Sequence, residues 1–323
     1  MPRFPLFLAV ALVAALQGVD SLAAQTYPQR AVKFILPFGP GSGTDITARL
    51  IADKLAARWG KPAVIENRPG GDGLVSINAF TGANDDHTLL WVPAGTFAVH
   101  PYQHDKLPYD AERDLLPIAN VSSLFLSATT SLAMNVGSLR EFVDLVRANP
   151  GKYNWATANG TADFLMSGFL KSNDLRMAKV PYRDITQAPN DLAENRIQLL
   201  ASSLAVVTPL MQAGKIKVLA VTGRQRAPSA PNVPTVIEAG YPALVMESIG
   251  GIFGPRGMPL ELRERIAADV RAAVASDPSI AEKLQATGQV IDVRGPAEFA
   301  TGIKELNDKL AALAKVLDLK AGQ

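Results

Sequence analysis

Three glycines, Gly39, Gly41 and Gly43, separate an apolar run, Val32–Leu36, from an amphipathic stretch that opens near Asp45. The run reads as a buried strand, and Ile46, Leu50, Ile51, Leu55 and Trp59 repeat at the spacing of one helix face. A glycine loop at such a junction leaves the first helical amides without intrahelical acceptors. The same helix end carries roughly half a positive charge. Together these features suit a small anion. Asp45 is read as the helix cap, worth about 0.5–2 kcal/mol; as a ligand contact it would instead meet an ammonium or hydroxyl group. A cap would also fix the loop with its amides turned outward, so the two roles are compatible.

Other chemistries fit less well. Gly39 and Gly41 give G-x-G and Glu66 ends the next strand, as in a dinucleotide site. However, Thr44 stands where the third glycine belongs, Pro37 and Pro40 stiffen the loop, and Asp45 would sit beside the pyrophosphate. No lysine follows the glycines, so there is no P-loop. Around Ser42 the chain reads P-G-S-G-T, which lacks the first glycine of a hydrolase elbow. His100 and His104 have the i,i+4 spacing of a helical metal pair, but Pro101 lies between them and a solvated loop is expected. Asp163 and Asp184 lie near glycine or proline turns and are read as turn-forming or solvated residues. No metal and no cofactor are expected.

These residues need a scaffold, and the chain supplies alternating strands and helices. Short strands are expected at Ala63–Glu66, Thr88–Val92, Tyr153–Thr157, Met177–Val180, Ile197–Ala201 and Ile216–Thr222. Helices are expected at Leu74–Phe80, Ser138–Asn149, Phe164–Leu170, Ala188–Glu194 and Val206–Ala213. The C-terminal third is mostly helical, at Leu260–Ala275, Ile280–Thr287 and Ala297–Leu317, with a strand near Val290–Val293. This alternation implies α/β architecture, with parallel-rich sheets covered by helices on both faces. Ligands in such sheets sit beyond the carboxyl ends of the strands. Two stretches lack helical period, Ser122–Met134 and Ala243–Phe253. Each is read as a segment crossing between lobes. Lobe 1 is then residues 26–123 plus 251–323, lobe 2 is residues 124–250, and two crossings make a hinge.

The N-terminus reads as a secretory leader. Arg3 precedes FPLFLAVALVAAL, and Ser21-Leu22-Ala23 gives a small-x-small cleavage pattern. The apolar run is shorter than the roughly 20 residues of a membrane span. Residues 1–23 are therefore expected to be removed, with cleavage near Ala23 or Ala24. About 300 residues remain, enough for two domains. The chain has no cysteine, which excludes disulfides, a thiolate nucleophile and a lipid-modified cysteine. Export without lipidation points to the periplasm. The 48% hydrophobic and 19% charged content is ordinary for a globular protein, and a net charge of +2 without basic runs gives no footprint for nucleic acid.

Several further motifs occur in order: YPQRAVKFILPFGPGSGTD (Tyr27–Asp45), VIENRPGGDG (Val64–Gly73), KLPYDAERDLLPIA (Lys106–Ala119), ATANGT (Ala156–Thr161), KVPYR (Lys179–Arg183), VLAVTGRQRAPSAPNVPTVIEAG (Val218–Gly240) and GIFGPRGMP (Gly251–Pro259). With them the chain resembles, over nearly its whole mature length, the solute receptors of tripartite tricarboxylate transporters, the Bug or TctC-like proteins. The resemblance implies a two-lobe, type II periplasmic binding fold of the Venus-flytrap kind. It also implies a non-enzymatic receptor, a monomer, that captures a small organic carboxylate for membrane transporter subunits. The first loop (Phe38, Gly41, Ser42, Gly43, Thr44 and Asp45) would form one wall. Asn67 to Gly73, with Gly71, and the loop Ala94–Thr96, with Gly95, would border it. Thr157, Asn159, Gly160 and Thr161, with Ser203, would close from the second lobe. A sensor subunit for a signalling receptor, or an exported α/β enzyme, are the alternative readings.

The chain departs from that pattern at three places. Phe164 stands where the third loop commonly has histidine, preceded by Asp163. Asp184 replaces a glycine after V-P-Y-R, and Ala201-Ser202-Ser203 replaces an F-D-S stretch. These departures point to a ligand other than the commonest dicarboxylates, a monocarboxylate or one bearing an amine.

Overall fold

The computed structural model describes residues 27–158, 160–246, 248–286 and 288–319. The leader and Asn159 lie outside these residues. Among the described residues, eleven strands form two sheets. One holds β1 (Val32–Leu36), β2 (Ala63–Asn67), β3 (Thr88–Pro93), β4 (Leu116–Leu124), β10 (Ser248–Gly254) and β11 (Gln289–Arg294), in the order β11-β4-β10-β3-β1-β2. The other holds β5 (Leu126–Ser131), β6 (Tyr153–Thr157), β7 (Met177–Lys179), β8 (Leu199–Ser203) and β9 (Ile216–Val221), in the order β7-β6-β8-β5-β9.

Parallel pairing holds where a helix returns the chain to its sheet, as between β1 and β2, β1 and β3, β6 and β7, and β6 and β8. The strands that carry the chain between sheets run antiparallel to their neighbours. β10 pairs so with β3 and β4, and β5 with β8 and β9. The first crossing takes one residue, Phe125, between β4 and β5. Its carbonyl accepts from the Leu204 amide at 2.8 Å and its amide donates to the Gly288 carbonyl at 3.3 Å. β4 starts at Leu116, earlier than the extended stretch suggests. On the return, Ala243 lies in a single 3-10 turn and the strand begins at Ser248.

The helices are α1 (Gly43–Trp59), α2 (Leu74–Ala83), α3 (Ala94–Ala98), α4 (His100–Gln103), α5 (Ala111–Asp114), α6 (Leu139–Ala148), α7 (Thr161–Ser172), α8 (Ala188–Ala193), α9 (Leu204–Gln212), α10 (Leu260–Ala275), α11 (Ser279–Ala286) and α12 (Pro296–Leu317). The apolar positions of α1 pack Ile51 and Leu55 against Phe34 and Trp91 of β1 and β3, all buried. Every residue of β3 is buried, because helices cover both of its faces. α12 spans both lobes. Beyond its place over the first sheet, it packs Leu313 and Leu317 against Gly168 of α7, where Lys171 Nζ donates to the Leu317 carbonyl at 2.8 Å. No helix among the described residues is long and apolar enough to cross a membrane.

Candidate functional site

α1 begins two residues before the expected start, and its cap is Ser42. The Ser42 hydroxyl accepts the Asp45 amide at 3.2 Å, while Gly41 turns the loop at φ +87°. Asp45 therefore has a different role from the cap assigned by sequence. Its carboxylate points behind the loop and accepts from the Gly41 amide (3.0 Å), Arg49 Nε (3.0 Å) and Asn67 Nδ2 (2.9 Å). The same Asn67 amide group donates to the Phe38 carbonyl at 2.8 Å. Burial pushes the Asp45 pKa up, but hydrogen bonds from Arg49, Asn67 and Gly41 outweigh it and leave the group below its ordinary value. With its charge paired there, Asp45 is not a wall of the cleft. The amides of Gly43 and Thr44, the first of α1, have no acceptor among the described residues.

The second lobe presents α7 opposite. Its N-cap, Gly160, sits at φ +79° and has no side chain to satisfy the helix end. Thr161 follows, 4% exposed, and its Oγ1 has no hydrogen-bond partner among the described residues. A buried hydroxyl without a partner is costly in a protein interior, about 1–3 kcal/mol, which makes this atom a candidate for a ligand contact. α9 is the third helix directed at the cleft. Ser203 caps it without a side-chain hydrogen bond, and one of its amides, Leu204, is already spent on Phe125.

Between the lobes lies a cleft with a space of about 50 Å³. Of the residues expected from sequence, Phe38, Ser42, Gly43, Thr44, Gly95, Thr96, Thr161 and Ser203 line it. Gly41, Asp45, Gly71, Thr157 and Gly160 do not. Gly41 and Gly160 shape the two helix entrances. Thr157 Oγ1 donates to the Ala158 carbonyl at 2.9 Å. Gly71, at φ +56°, belongs to the Gly71–Gly73 turn, whose Gly73 rests against the Thr96 methyl. Sequence reasoning missed Pro93, Leu124, Leu126, Ala158, Ala162, Ile185, Val206 and Ser248. These come from strand ends, loops and the first turns of α7 and α9, and only the fold brings them together. No charged side chain lines the cleft among the described residues.

Asp163 and Asp184 do not line it either. Asp163 pairs with Lys179 at 2.8 Å and accepts from Gln103 at 3.1 Å. Asp184 accepts the Thr186 amide at 3.1 Å and lies against Gly39 of the opposite lobe, where any Cβ would overlap its carboxylate. The two lobes also meet directly behind Gly95. A Cβ there would lie 2.8 Å from Thr161 Cβ, and one on Gly160 would lie 2.6 Å from the Gly95 carbonyl oxygen.

His100 departs from the solvated loop expected for it. It is fully buried on α4, with Nδ1 2.6 Å from the Tyr109 hydroxyl and Nε2 2.9 Å from the Asp72 carbonyl. Burial lowers its pKa. It braces the Gly71–Gly73 turn rather than holding a metal. Asp85, Asp86 and His87 are the one cluster of metal-compatible groups among the described residues. Their atoms are engaged, however: Asp85 with Arg30 and the Thr88 hydroxyl, and His87 Nε2 with the Gln29 amide. A larger groove, about 750 Å³, lies between Tyr102, Tyr109, Phe253 and Ile303. None of the helix starts at Gly43, Thr161 or Leu204 opens into it, so the smaller interlobe cleft is the better candidate for an anion.

The arrangement offers donors from helix N-termini and hydroxyls, enclosed by apolar walls. Such donors can hold an anion; among the described residues no histidine, carboxylate or lysine stands in the lining. Comparison with known proteins agrees. Residues 47–313 match the model of the tripartite tricarboxylate transporter family receptor, TctC. Protein BugT of Bordetella pertussis is 27% identical over 89% of this chain and 91% of its own. The structure of MatC (Rpa3494) from Rhodopseudomonas palustris with bound malate superposes with a TM-score of 0.82 at 26% identity, covering 90% of this chain and 99% of that one. R. palustris Rpa4515 with adipate gives 0.83 at 26% identity, covering 91% and 99%. Two sheets with helices on their faces, a cleft of donors between them and this family match lead to one conclusion: the chain belongs to the TctC family of tripartite tricarboxylate transporter receptors, two-lobe solute-binding proteins rather than enzymes.

Proposed function

We propose that this protein captures a small organic carboxylate in the interlobe cleft and presents it, in the periplasm, to a tripartite tricarboxylate-type membrane transporter. The leader, cleaved near Ala23 or Ala24, would direct export, and the receptor would work as a monomer. The lobes, residues 26–123 with 251–323 and residues 124–250, would close on the ligand about the two crossings. Relatives of this fold hold malate and adipate, which supports the ligand class.

The observation that carries the reading is the unpartnered Thr161 Oγ1, buried at the start of α7 and opposite the free amides of Gly43 and Thr44. A carboxylate oxygen placed there satisfies donors from both lobes at once. Hydrogen bonds to a charged group are worth about 1.5–3 kcal/mol each. Three or four of them, less the costs of ordering and closure, are enough for micromolar affinity, about −8 kcal/mol. Isothermal titration of the mature protein against a panel of mono-, di- and tricarboxylates tests the reading. Saturable micromolar binding of at least one supports it, and the absence of binding across the panel refutes it.

A further inference from the structure

We propose that Asn67 is a positioning residue for ligand binding: it ties the end of β2 to both ends of the loop between β1 and α1 and so holds the Gly43 and Thr44 amides toward the cleft. The inference rests on the carboxylate-receptor reading and adds to it a residue that the ligand does not touch. Asn67 is the last residue of β2, paired in register with Leu36 at the end of β1. It does not line the cleft. Its one side chain makes three hydrogen bonds. Nδ2 donates to the Phe38 carbonyl at 2.8 Å, where the loop starts, and to Asp45 Oδ1 at 2.9 Å, in the first turn of α1. Oδ1 accepts from Arg49 Nη2 at 2.9 Å, one turn further along that helix.

These bonds decide where the loop's own donors go. With Asp45 held by Asn67 and Arg49, its Oδ2 accepts the Gly41 amide at 3.0 Å. The Asp45 amide goes to Ser42 Oγ at 3.2 Å and the Ser42 amide to the Gly39 carbonyl at 3.3 Å. Pro37 and Pro40 have no amide hydrogen. The loop is thereby fastened on the side away from the ligand, and Gly43 and Thr44, the first residues of α1, keep their donors for it. Phe38, whose carbonyl Asn67 fixes, is itself in the lining. A loop ordered before the ligand arrives spares binding the cost of ordering it, and a network with every member paired holds such a shape rigidly. Aspartate cannot replace this amide. It has the same shape and keeps an acceptor for Arg49, but it turns both donor bonds into contacts between oxygens.

The test compares wild type, Asn67→Ala and Asn67→Asp, by amide hydrogen exchange of the unliganded mature protein followed by NMR and by titration calorimetry with malate, adipate and benzoate. Both variants should speed exchange of the Gly41 amide at least tenfold, while the Phe34 and Ile35 amides of β1 keep their wild-type protection. Both should raise the Kd of the tightest wild-type ligand in this set at least fivefold. In exchange, Asn67→Asp should be no better than Asn67→Ala, whereas a side chain that only fills space would be rescued by the isosteric aspartate. Exchange is measured without ligand, so repulsion between the new carboxylate and a bound anion plays no part in that comparison. Wild-type exchange at Gly41, wild-type affinity, rescue by Asn67→Asp, or loss of protection throughout β1 overturns the inference and leaves the carboxylate-receptor reading intact. No binding of any of the three acids by wild type overturns both.

Discussion

Replacing Gly95 by alanine should impair ligand capture while leaving each lobe folded. Gly95 lies in α3 without a positive φ, so alanine suits its backbone and removes the conformational freedom that makes glycine unfavourable in helices by roughly 0.5–1 kcal/mol. The obstacle is the other lobe. The new methyl would overlap Thr161 Oγ1 and lie 2.8 Å from Thr161 Cβ and 3.2 Å from its amide nitrogen. Rotating the threonine clears its hydroxyl but not its Cβ or backbone. Ordinary contact begins near 3.4 Å, so the lobes must part by at least about 0.6 Å at this point. A hydrogen bond of about 2.9 Å stretched by that amount reaches about 3.5 Å, the edge of what counts as a bond. Losing one charged hydrogen bond from lobe 2 costs about 1.5–3 kcal/mol, a roughly 10- to 150-fold rise in Kd. Calorimetry of Gly95→Ala against the ligand of the wild-type protein, with a thermal melt of the unliganded variant, gives both readouts. The expected result is weakened binding with an unchanged or slightly raised Tm. Wild-type affinity in a folded Gly95→Ala protein would refute the argument that these lobes close through this contact.

Three further outcomes follow from single groups. Thr161→Val removes the buried hydroxyl without changing shape, so melting should show the unliganded protein more stable by about 1–3 kcal/mol, while titration shows affinity at least tenfold weaker. For Asp45, the folded pKa lies below its ordinary value of 3.8, so its contribution is complete above that pH and is lost as pH falls through the folded value. Denaturant melts of wild type and Asp45→Asn from pH 7 to pH 3 should therefore converge only below about pH 4. Gly168→Val places branches against Leu313, whose Cδ1 is 3.2 Å from the position of a Cβ; overpacking of about 1–3 kcal/mol should appear as a lower Tm.

Much of this was legible in the sequence because local rules and tertiary packing agree. The strand Val32–Leu36, the glycine loop and α1 follow from an apolar run, flexible residues and a 3.6 period. α12 was expected at Ala297–Leu317 and spans Pro296–Leu317, since its stripe is long and unambiguous. The errors have physical causes. Ser42 and Asp45 are both good caps, and only the positions of Arg49 and Asn67 decide that the aspartate turns away. His100 looked solvated beside Pro101, yet proline at the start of a short helix costs nothing, and Tyr109 and Asp72 supply partners from distant parts of the chain. The onset of β4 at Leu116 was missed because its buried residues do not alternate. The apolar part of the lining could not be read at all. Leu124 and Leu126 look like ordinary strand residues until the crossing at Phe125 places them on either side of it, in the lining of the cleft with Ile185 and Val206.

The central claim is that a ligand acid group joins the two lobes at the starts of α1 and α7. A crystal structure of the mature protein with its carboxylate bound tests it most directly. The account predicts carboxylate oxygens within hydrogen-bonding distance of Thr161 Oγ1 and of the Gly43 or Thr44 amide. A ligand seated instead in the groove between Tyr102 and Ile303, or in the cleft with those donors bonded to protein groups, would contradict it.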